Sequence, residues 1–194
     1  MVIVAITGVI TAMSLGGYER LNSRAKFSSV LGNLVTSVRR TRSEAAGRGV
    51  ATAFVLDTAN NRWWGVEAPA GWTLTGFDPT NPGTVIVSDT FPTGTGKAVF
   101  GPPTGYGVVL PAPFAGVPVI TSQTPQLPYC SFCDPGTGMG AILFQPNGAA
   151  SFSGGAAFRA QAQGQQFTIQ GPNDGRTVLL AVIARTGVVE VFEQ

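Results

Sequence analysis

The chain has 194 residues, room for one globular domain and an extension. It is 44% hydrophobic and 11% charged, a balance that argues against disorder. It contains no histidine, which removes imidazole general-base chemistry and histidine-ligated metals. The net charge of +2 hides an asymmetry. Residues 1–48 carry seven basic and two acidic groups, and residues 49–194 carry five basic and eight acidic ones, so +5 faces −3. The body is therefore not a basic nucleic-acid binder by composition.

The first 15 residues, MVIVAITGVITAMSL, hold no charge, and the uncharged run reaches residue 18, the lower range for a spanning helix. A cleavable secretory signal calls for a positive n-region and a small-residue cleavage site, and neither stands in this run. A buried core helix is the other reading; it is weakened because the run lacks an amphipathic period. Residues 1–18 are thus read as a membrane or assembly segment, with Met1, Val2, Ile3, Val4, Ile6, Gly8, Val9, Ile10, Met13 and Leu15 as its contact residues. The pair Gly16-Gly17 is the expected weak point, since each helical glycine costs up to ~1 kcal/mol relative to alanine.

Residues 19–47 continue without proline. Phe27, Leu31, Leu34, Val35 and Val38 fall at i, i+4, i+7, i+8 and i+11, one helical face that predicts packing on a body. Arg39, Arg40 and Arg42 suit the negative end of the helix dipole, and Gly47 and Gly49 bracket the stop. A single helix of some 46 residues is about 70 Å long, more than a small domain can bury. A basic collar beside an apolar helix fits an anionic membrane surface or the acidic surfaces of neighbouring copies.

Residues 48–194 read as an antiparallel β body, because most of the 26 glycines and 14 prolines lie there. Residues 50–67 read as a hairpin, with Val50, Thr52, Phe54 and Leu56 on one face, a turn at 58–61 and a second strand at 62–67. Trp63 and Trp64 must point to opposite faces; one is expected either as an exposed contact or as a rim residue packed under a loop. Residues 68–138 are a long loop region holding two short strands, TVIVSDTF and KAVF. Phe91, Phe100, Tyr106, Phe114, Tyr129 and Phe132 are read as plugs fixing those loops. Asp57, Asp78, Asp89 and Asp134 are read as turn residues.

Cys130-Ser131-Phe132-Cys133 is a C-x-x-C motif followed by a turn, Asp134-Pro135-Gly136, with no helix pattern after it. It supplies two of the four ligands of a structural zinc, and no histidine completes the set. In an exported chain it reads as a short-loop disulfide; free thiols and a redox pair are the alternatives. The last third reads as strand–turn–strand at 139–153, then strands QQFTIQ, RTVLLAVIA and VVEVF. Phe167 and Ile169 alternate with polar residues, whereas residues 178–183 are continuously apolar and predict a strand covered on both faces. No GxSxG elbow, P-loop or paired-carboxylate spacing is present. The chain is read as a non-enzyme, with no catalytic residue, cofactor or metal.

The apolar start MVIVAITGVI resembles the N-terminal segment of type IV pilins and pseudopilins. The string Arg42-Ser43-Glu44-Ala45 before the first strand resembles the helix end of the GspH/FimT-type subfamily. The resemblance covers the whole chain and is weakest between residues 68 and 138. It implies an α+β fold, a long N-terminal helix packed on an antiparallel β-sheet body. It further implies a subunit anchored in the inner membrane by one helix, body outside the cytoplasm, then polymerised into an extracellular filament at the cell surface. The implied partners are copies of itself or other pilins, and pilus or secretion assembly machinery. The family's methylated first phenylalanine and nearby acidic residue are expected just before Met1, and Gly16 stands in place of a mid-helix proline. A minor pseudopilin priming a type II secretion or type IV pilus machine is the alternative. DNA capture is the least supported reading: the subfamily's glycine-arginine-x-arginine motif is here Gly187-Val188-Val189-Glu190, without either arginine.

Overall fold

A computed structural model describes residues 2–92, 98–101, 110–117, 129–155, 164–171 and 176–193, with backbone only for residues 2–20. Among the described residues, one α-helix, α1 (Val2–Arg48), precedes nine strands. These are β1 (Thr52–Asp57), β2 (Arg62–Glu67), β3 (Val85–Thr90), β4 (Val99–Phe100), β5 (Met139–Phe144), β6 (Ala150–Ser153), β7 (Gln165–Gln170), β8 (Thr177–Val182) and β9 (Val189–Glu193). The class is α+β, with the helix packed on antiparallel sheets.

The strands form two antiparallel sheets. Five are ordered β3-β2-β1-β5-β6 and four β4-β7-β8-β9. The reason lies in the central strands: every residue of β1 and of β8 is buried, so each needs a layer on both faces. The main core fills the space between α1 and the two inner faces, from Phe54 and Leu56 of β1 to Phe167, Val178 and Leu180. The outer face of the five-stranded sheet, with Ala53, Val55 and Trp64, is closed by the segment carrying Leu74. The outer face of the four-stranded sheet, with Leu179 and Ala181, is closed by Leu110, Phe114 and Val117.

Several local expectations change accordingly. Val50 precedes β1 and is 44% exposed; the alternation on which it was placed with Phe54 and Leu56 starts at Thr52. β7 is buried on both faces, including Gln166 and Thr168, although its sequence alternates like a half-covered strand. Both tryptophans are inside. Trp63 faces the main core, and Trp64 packs under the 74–77 turn, 5.5 Å from the Phe77 ring. Asp89 lies within β3, not in a turn. A row of rings, Trp63, Phe91, Phe100, Phe167, Phe132 and Phe152, joins the two sheets with centroids 4.8–6.5 Å apart. Phe91, Phe100, Phe114 and Phe132 are buried plugs, Tyr129 is partly buried against the core, and Tyr106 lies outside the described residues.

The helix sits on this body by the predicted stripe. Phe27, Leu34 and Val38 are buried, joined by Ala45, while Leu31 and Val35 pack at the edge. Its close approach depends on Gly65 of β2, where a Cβ would run into Thr41 Oγ1 and stand 2.8 Å from Val87 Cγ1. Thr41 is itself fixed: its hydroxyl donates to the Ser37 carbonyl at 2.8 Å, and its carbonyl accepts from the Thr52 hydroxyl at 2.7 Å. The helix ends at Arg48, and Gly49 takes φ 68° with its amide bonded to the Ala45 carbonyl at 3.1 Å, a left-handed cap that suits glycine. The last turn holds Arg48 alone among the arginines; Arg39, Arg40 and Arg42 lie two turns earlier, too far to act on the final carbonyls.

Candidate assembly site

The residues first singled out sit at the N-terminal end of α1. The backbone is helical from Val2 through Gly16 and Gly17 to Arg48. Met1 lies outside the described residues, and the side chains of Val2, Ile3, Val4, Ile6, Gly8, Val9, Ile10, Met13 and Leu15 are not described. Among the described residues no helix is long and apolar enough to cross a membrane; the uncharged run falls outside the described side chains.

The described side chains of α1 begin at Leu21. Among the residues whose burial is described, Phe27 is the first buried one. From 21 to 26, all are exposed except the half-buried Ser23, and Leu21 is 67% exposed. Arg24 and Lys26 belong to this collar. Nineteen helical residues precede Leu21, about 28 Å of helix.

At the other end of α1 the chain turns into β1 beside a cleft. Arg48 bridges Glu44 of its own helix and Glu67 of β2, the latter at 2.7 Å. Glu44 first, then Glu67, hold the guanidinium's pKa above its ordinary value. Next to this bridge a cleft of about 410 Å³ opens between Val50, Glu67 and the 69–84 segment, with Trp72, Phe77, Asp78 and Pro82 on its wall. A second cleft shares Val50, Ala51, Pro69 and Trp72 with it. The wall is shaped by a short 3-10 turn, Leu74–Gly76, capped by the Thr73 hydroxyl oxygen, which accepts from the Gly76 amide at 3.3 Å. The Asp78 carboxylate accepts from the Thr80 amide and hydroxyl at 2.8 and 2.7 Å. The Thr80 hydroxyl and amide hold its pKa below the ordinary 3.8, so it is charged at neutral pH. With Glu44 and Glu67 against Arg48, the four groups sum to −2.

Cys130 and Cys133 form a disulfide. It sits in the core edge against β7 and β5: Cys130 bridges to Phe167, and Cys133 Sγ lies against the Gly140 backbone. The following turn is tied by Asp134, whose carboxylate accepts from the Gly136 and Thr137 amides at 2.8 Å each. The Thr137 amide, then the Gly136 amide, lower its pKa. At the motif compared with the subfamily's arginine pair, Gly187 takes φ 60° against the Gly148 carbonyl, and Arg176 is paired with Glu193 at 2.9 Å rather than free in solvent. Among the described residues no cluster of three or more acidic, cysteine or histidine side chains is placed to hold a metal.

The cleft was not anticipated. Its residues come from two stretches, 50–51 and 67–84, and the only sequence signal is a pair of aromatics, Trp72 and Phe77, stranded in a glycine- and proline-rich segment. Comparison with known proteins finds no matching family model, no matching curated protein and no matching solved structure.

Proposed function

We propose that the chain is a type IV pilin-like structural subunit that polymerises through α1 into an extracellular filament. The observation that carries this reading is the collar of α1: residues 21–26 are exposed except the half-buried Ser23, Leu21 is 67% exposed, and the helix backbone continues from there through the uncharged run to Val2. An uncharged helical run needs an apolar partner. Lipid supplies that before assembly, with the body outside the cytoplasm; the same segments of neighbouring copies supply it in the fibre. The β body then forms the outer surface.

A second reading is a minor pseudopilin that primes a type II secretion or type IV pilus machine. It is supported by the Arg42-Ser43-Glu44-Ala45 string at the helix end, which resembles a subfamily composed mostly of minor components. Immunogold electron microscopy of filaments sheared from producing cells, with an antibody to the β body, separates the two. Labelling along the whole length is the expected result. Labelling only at tips makes the chain a minor initiating subunit. Protein confined to the membrane fraction likewise makes it a minor subunit and overturns the filament-subunit reading.

A further inference from the structure

We infer that the cleft beside Arg48 is the docking site for the helix collar, residues 21–26, of a second copy of this chain. The inference rests on the filament reading and names one contact within it.

Three large hydrophobic side chains are exposed among the described residues: Leu21, Val50 and Val85. Val50 lines the cleft, and Val85 follows Thr84 on its rim. Leu21 is on the collar. Among the described residues, Leu21 is thus an exposed knob and Val50 an exposed wall of the cleft, to which Trp72 and Phe77 add, both only partly buried. Such uncovered apolar surface marks contact sites.

Charge favours the same pairing. The cleft's lining carries two acidic groups, Glu67 and Asp78, while the collar carries two basic ones, Arg24 and Lys26. Opposite potentials across a contact set its register and suppress wrong ones.

The collar cannot fill the cleft of its own chain. Leu21 and Arg48 are 27 residues apart on one helix, a separation of about 40 Å. The occupant is therefore another copy, and two parallel copies in this contact are offset by about 40 Å along the helix direction.

The test places a photo-crosslinker in the cleft of the full-length chain, as Val50→p-benzoylphenylalanine, in cells that build filaments and in filaments sheared from them. Val50 is outside every strand and 44% exposed, so the substitution leaves the core intact. The expected product is a covalent dimer, twice 20.0 kDa, with the crosslink mapped by mass spectrometry to residues 21–26. Leu21→Asp in the same chain is expected to lower that dimer at least tenfold with an unchanged melting temperature. Filaments whose crosslinks map elsewhere, or to a protein of another mass, overturn the docking inference and leave the filament reading standing. Absence of both filaments and dimer overturns the two together.

Discussion

Gly65→Ala tests how α1 is seated. The added Cβ meets Thr41 Oγ1 head on and stands 2.8 Å from Val87 Cγ1 and 3.3 Å from Thr41 Cβ. Thr41 cannot swing aside cheaply, because its hydroxyl is bonded to Ser37 and its carbonyl to Thr52, both bonds buried or nearly so. Overpacking of this kind costs about 1–3 kcal/mol, and two blocked neighbours place it near ~3. Alanine returns about 0.4–1 kcal/mol by restricting the unfolded chain. The net destabilisation is about 2 kcal/mol, a fall in Tm of roughly 4–8 °C for a chain of this size. Circular dichroism melting of the full chain in detergent reads it. The double variant Gly65→Ala/Thr41→Ala removes the closest obstacle, so its loss is expected to be smaller than the sum of the two single losses. A Gly65→Ala protein that melts at or above the wild-type temperature, or a double variant worse than additive, refutes the close seating of the helix on β2.

Other outcomes follow from the same packing. Leu34 is fully buried beneath the helix, so Leu34→Ala is expected to cost about 2–5 kcal/mol in denaturant unfolding, while Leu21→Ala, on the exposed collar, leaves the unfolding midpoint unchanged. Replacing both cysteines by alanine opens a loop of only four residues; on chain entropy this costs roughly 2 kcal/mol, so urea unfolding should show a lower midpoint with an unaltered slope. Asp78 and Asp134 have pKa values lowered by their hydrogen bonds to Thr80 and to the Thr137 and Gly136 amides. Their stabilisation is thus present above the ordinary value of 3.8 and is lost as pH falls through the lower folded value. Carboxyl NMR titration should find both below 3.8, and the gap in Tm between wild type and Asp134→Asn should close in that acid range; an Asp134 titrating at or above its ordinary value refutes the turn geometry.

Much of the fold is legible in local pattern. The helical stripe from Phe27 to Val38 names the face that packs, the 58–61 turn sets the β1–β2 hairpin, and the apolar run in β8 announces a strand covered on both sides. What escapes is whatever depends on distant segments meeting. β1 pairs with β5 across 82 to 92 residues, Asp57 with Met139 and Thr52 with Phe144, and no local period encodes that partner. Nor does any encode the parting into two sheets. The alternation in β7 misleads because Gln166 and Thr168 are polar yet buried; Thr168 donates to the Gly101 carbonyl, a partner 67 residues away. The cleft fails for the same reason. Val50, Glu67 and Phe77 become neighbours only after β1 and β2 have paired and the 3-10 turn has folded over their end.

The junction between α1 and β1 also decides how the protein carries load. Three residues, 49–51, reverse the chain from helix to strand, and the Thr52 hydroxyl bonds back to Thr41 beside the Gly65 notch. A pull on the far end of the helix therefore drags it lengthwise over the sheet. The notch, the buried stripe and the Arg48 clamp resist together in shear; no edge is offered for peeling them apart one at a time. Slippage by a single turn, about 5.4 Å, must first lift Thr41 out of its seat. In a fibre under tension, the body is expected to stay on its helix until the rate of this one concerted step, rather than equilibrium stability, sets its lifetime.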